Sequence, residues 1–187
     1  MDRVDQAGYS TGEAGFGVDT AALPLDETAP SPVYSSGSAE YASDFSGSTV
    51  VSQPIQVREI IVRTGRIVVE VTIPDARFRY TTPRLAAFAE GQYPDLPHHA
   101  CVNDVGFTFG DVIESTSVPH LLEHVVISLQ VRERAIGDPT FIGTTEWTDE
   151  DAGDARIEFG FQDDLVALRA FNEATRFVNT AVLTCLS

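Results

Sequence analysis

Lysine is absent from this chain: all twelve basic residues among its 187 are arginine. That excludes Schiff-base catalysis through a lysine amine and the lysine of an NTPase phosphate loop. Cysteine is scarce as well. Cys101 and Cys185 are too few for a disulfide scaffold and read as reduced thiols in a cytoplasmic protein. Positive charge is short overall, with 28 acidic residues giving a formal net charge of −16. Nucleic acid and anionic membranes both demand positive potential, so neither is expected as a partner. No apolar run is long enough to span a bilayer, and no signal-peptide h-region is present.

Apolar periodicity is missing from residues 1–54. They are rich in Gly, Ser, Ala, Thr and Asp, and residues 1–52 carry eight acidic residues against Arg3 alone. Such a segment buries too little apolar surface to offset its ordering entropy, and it reads as a disordered acidic tail. The remainder, 55–187, reads as one domain. Val57 to Val62 and Ile67 to Ile73 are β-branched runs joined at Gly65, which predicts a hairpin. Thr82-Pro83 opens a short helix ended by Gly91. Gln92 to Gly110 has no clear period and reads as a long loop. Ser117 caps a helix running to about Arg134. Thr140 to Trp147 and Arg156 to Phe161 form a second strand pair, linked by the acidic run Asp149 to Asp154. Asp163 caps a last helix striped by Leu165, Leu168, Phe171, Thr175 and Val178. The order ββα-loop-αββα predicts an α+β fold: an antiparallel sheet of two β-hairpins with helices mainly on one face.

Histidine is rare but concentrated. The chain has four, at 98, 99, 120 and 124, with Cys101 among them. His120-Leu121-Leu122-Glu123-His124 places two imidazoles and a carboxylate on one helical face. That arrangement suits a divalent metal, with Zn2+ preferred, held by His120 and His124 beside Glu123 as a general base. Cys101 ranks first as third ligand, then His99, then Glu146 or Glu158. Four ligands (His99, Cys101, His120, His124) would instead make a closed structural site. A helix with Leu122, Val125, Val126 and Leu129 on its other face should be buried on both sides. Arg156 and Arg169 read as surface ion pairs, and the acidic run as a solvated turn.

From about Pro94 to Val182 the chain resembles the N-terminal domain of cyanophycin synthetases. The resemblance rests on His99-Ala100-Cys101, Gly106-Phe107, Ile113 to Thr116, the helix His120 to Gln130, Phe141-Ile142-Gly143-Thr144-Thr145, and the strand Ile157 to Phe161. That family makes, from ATP, a polymer with an aspartate backbone and arginine side chains. Its ligase chemistry belongs to other domains, for which this chain is too short. The resemblance therefore implies the N-terminal module standing alone. In the family it looks like a polymer-docking domain, and in some members like a metallopeptidase that trims the polymer. It implies a cyanophycin-like or Arg-rich peptide partner, and for the docking alternative a separate amide ligase. Thr144 stands where the family tends to have Arg. The HxxEH pattern is also similar to that of inverzincins, and S-ribosylhomocysteinases use it with a cysteine as third ligand.

Overall fold

A computed structural model describes residues 53–133 and 141–187. The expected acidic tail lies, up to residue 52, outside the described residues. Strands β1 (Gln56–Arg63) and β2 (Arg66–Thr72) form the first hairpin, with Gly65 at φ +75° in its turn. Helix α1 (Pro83–Gln92) is capped by the Thr82 side chain, which accepts from the Leu85 N–H. It runs through Gly91 rather than stopping there. Helix α2 (Val118–Glu133) follows the long loop. Strands β3 (Gly143–Asp149) and β4 (Asp154–Gly160) form the second hairpin, and α3 (Asp164–Leu186) follows, capped by Asp163.

The result is the expected α+β fold. One antiparallel sheet has the order β1-β2-β4-β3, so the two hairpins join through β2 and β4. Alternate residues of these central strands face the helices: Ile67, Val69, Val71, Ala155, Ile157 and Phe159 are all buried. The opposite face carries Glu70, Arg156, Glu158 and Glu146. Arg156 pairs there with Glu70 (2.8 Å) and Glu146 (3.4 Å), a surface pairing with glutamates rather than with the nearby aspartates expected of it. Arg169 pairs with Glu133. No described helix is long and apolar enough to cross a membrane.

The stripe of α3 differs from the sequence reading. Leu165 is 66% exposed, and the buried face is built from Ala167, Ala170, Phe171, Ala174, Val178, Ala181 and Val182. Small side chains let α3 lie close against α2, and a stripe drawn through leucines misses an alanine face. Helix α2 is buried almost all round, as the two-sided pattern predicted.

Candidate metal centre

The loop before α2 is more ordered than its aperiodic sequence suggested. Two 3-10 turns, Leu96–His98 and Phe109–Asp111, bracket it. Backbone bonds from Cys101 N–H to Phe107 O (3.0 Å) and from Phe109 N–H to His99 O (2.9 Å) close it into a narrow excursion. The Asn103 side chain accepts from the Val105 and Gly106 N–H groups and braces the tip. This fastening brings His99 and Cys101 back over α2.

Three donors converge. Nε2 of His120 lies 3.2 Å from Nε2 of His124 and 3.5 Å from Sγ of Cys101. One donor atom from each of the three lies within 4.8 Å of the other two. Two nitrogens of a tetrahedral zinc site stand about 3.3 Å apart, and a nitrogen and a thiolate sulfur about 3.6 Å, from bond lengths near 2.05 and 2.3 Å. The two edges that meet at His120 fit that geometry, and a Cys/His/His set suits zinc chemically. Cys101, ranked first as third ligand, is the one that joins the pair.

His99 lies outside that group. Its Nε2 faces Oδ2 of Asp95 at 3.2 Å, and its Nδ1 faces Nδ1 of His124, also at 3.2 Å. Burial pushes the Asp95 carboxyl up, but hydrogen bonds from Ser128, its own backbone, His99 and Arg132 outweigh this and hold it below the usual carboxylate range. Facing an ionised Asp95, His99 donates from Nε2, and in its neutral form this leaves Nδ1 as acceptor. Paired with that neutral form, His124 carries its proton on Nδ1 and presents a bare Nε2 to the donor group. His99, ranked second as third ligand, stands here beside His124 and outside the three-donor group. His120 is fixed similarly, with Nδ1 2.8 Å from Thr116 Oγ1. The Phe109 ring stacks on His124 at 3.9 Å between centroids.

Burial lowers the pKa of His120 and takes that of His124 down to about 2, so both rings stay neutral and able to ligate. Burial pushes the Cys101 thiol up; a metal would have to displace its proton. Glu123 is 4% exposed, and burial takes its carboxyl up to about 7 against the pull of a hydrogen bond from Thr145 Oγ1 (2.5 Å). Its other oxygen lies against Gly143, where a Cβ would stand 2.3 Å from Oε1. Glu123 and the three donors line one cleft of about 470 Å³, walled by Ala100 to Val102 on one side and Phe141 to Thr145 on the other.

Glu146 and Glu158, the lower-ranked ligand candidates, sit on the outer face of the sheet with Arg156 and Arg66 as partners. His98 is exposed and outside the group. The acidic turn is structural: Asp149 accepts from the Ala152 N–H, and Asp154 pairs with Arg58 at 2.8 Å.

No protein-family model matches this chain, and no curated protein matches it. The site thus stands on its own geometry. Asp95, Ser128, Thr116 and Thr145, which orient its parts, carry no local sequence pattern that marks them. Gly143 and Thr145 fall in a stretch quoted above for the family resemblance, the one available pointer to them.

Proposed function

We propose that this protein is a zinc-dependent amide hydrolase. The observation that carries the reading is the convergence of Cys101 Sγ, His120 Nε2 and His124 Nε2 beside a buried carboxylate in an open cleft. Cys101, His120 and His124 would hold the ion. Zinc, when bound, supplies a Lewis acid that makes water a nucleophile near neutral pH. Glu123 accepts the proton of water entering the cleft and passes it to the leaving amine, a task suited to a carboxyl that titrates near 7. Thr145 aims Glu123, and the Asp95–His99 pair keeps the His124 proton on Nδ1. A cyanophycin-like or other Asp/Arg-rich polymer is the substrate favoured by the family resemblance, and the net charge of −16 suits arginine side chains. A cysteine in the donor set also favours a second reading, a metal-dependent lyase or isomerase of the S-ribosylhomocysteinase kind.

Metal analysis tests the first step. Purified protein reconstituted with Zn2+ should hold one equivalent, and Cys101→Ser and His120→Ala should each lose most of it. Less than about a tenth of an equivalent in the natural sequence would sink the hydrolase and leave a docking module.

Asp95→Asn tests the orienting pair. It should weaken zinc binding about 10- to 100-fold in a chelator competition while leaving the fold intact. Unchanged affinity would mean that His124 is oriented by something else.

A further inference from the structure

We infer that the site takes its substrate as an extended peptide strand laid along the outer edge of β3. This rests on the amide-hydrolase reading and adds the form in which the substrate binds. β3 is the last strand of the sheet, and among the described residues no strand pairs with its outer edge.

The register decides which backbone groups face outward. Gly160 N–H donates to Ile142 O at 2.8 Å, and Thr144 and Glu146 follow with the same parity opposite Glu158 and Arg156. The N–H and C=O groups of Ile142, Thr144 and Glu146 therefore turn towards β4. Those of Gly143 and Thr145 turn outward, because hydrogen-bonding direction alternates along an antiparallel strand. Gly143 and Thr145 are also the two residues in contact with the Glu123 carboxyl. The open donors and acceptors of the sheet thus stand in line with the proposed base.

A strand paired to this edge lies about 4.8 Å from β3, which puts it in the cleft. Its backbone amides would pass over Glu123 and the three donors. Open edges are ordinarily guarded by charge or proline. Ile142-Gly143-Thr144-Thr145 has neither, and charge begins only at Glu146. The cleft also commits the substrate's side chains. Those on the metal side meet Ile127 and the fully exposed Val102 beside the three donors. Those on the other side emerge beside Thr144 and Glu146. The occupant is a linear polypeptide bound in extended form.

Amide hydrogen exchange on the 15N-labelled full chain tests this, with oxidised insulin B chain as the probe peptide. The Glu123→Gln variant is used so that the peptide survives. Peptide should slow exchange at Gly143 and Thr145 by about tenfold or more, while Thr144 and Glu146, already bonded to β4, keep their rates. Uniform slowing from 143 to 145, or none, would overturn the edge-strand proposal. Samples with and without Zn2+ keep the two readings apart. Alternating protection in a protein that binds no zinc supports the edge and defeats the hydrolase. One equivalent of zinc without alternating protection defeats the edge alone.

Discussion

Replacing Glu123 by Gln should leave the zinc in place and cut turnover about 10²- to 10⁴-fold, the range of a lost general base. Gln fills the same volume and still accepts from Thr145, so the cleft keeps its shape. Zinc-reconstituted protein assayed on a linear peptide gives the measurement, and undiminished turnover would remove Glu123 from the chemistry. The same substitution has a second signature in the metal-free protein. In the fold Glu123 keeps its proton up to about pH 7, whereas in the unfolded chain it loses it near its ordinary value of 4.5. The folded state therefore binds more protons across that window. Its stability contribution is fully present below pH 4.5 and lost as pH rises through 7. The loss is on the order of 3 kcal/mol at 1.36 kcal/mol per pH unit. His124 contributes with the opposite sign below pH 6.5, but it is common to both proteins. Metal-free Glu123→Gln should then match the parent in a urea titration at low pH and exceed it in midpoint above pH 7. Parallel curves across the window would contradict the buried carboxyl.

Gly143→Ala should be nearly as damaging to activity although it touches no donor atom. A Cβ there would stand 2.3 Å from Glu123 Oε1 and 2.6 Å from its carboxyl carbon. One of the two must move, and the carboxyl is the end of a side chain while Gly143 is held in the sheet. Activity should fall about 10²-fold through misplacement of the base, with zinc content unchanged. Stability should drop by about 1–3 kcal/mol from overpacking. Full activity would show that Glu123 does not work from the position it holds here. Zinc loss would show that the damage reaches the donors instead.

The fold was legible where composition or periodicity was clear. Val57 to Val62 and Ile67 to Ile73 are β-branched runs that turn at a glycine, and α2 reads as two-sided because it is buried almost all round. Cys101, His120 and His124 were legible because the best donors crowd into one stretch of chain. The place of His99 was not legible, because spacing says that a ring is near, not which of its nitrogens is free. Asp95 and Ser128, remote in sequence but joined at 2.6 Å, decide that question. The face of α3 was missed at Leu165 for a related reason. Which side of a helix is buried depends on the neighbour it lies against, and four alanines there admit a closer neighbour than leucine would.

Among the described residues the sheet is open at both ends of its order, with β1 at one margin and β3 at the other. The β1 margin shows Ile60 and Val62 at 43% and 47% exposure. One copy can offer β1 to the β3 of the next, a head-to-tail contact that does not close on itself. What opposes such stacking is mutual repulsion between copies, and its source is uneven. Residues 1–52 hold eight acidic residues and one arginine, so they supply seven of the sixteen surplus negative charges. Salt screens that repulsion. A shortened chain beginning near β1 gives up close to half of that surplus charge.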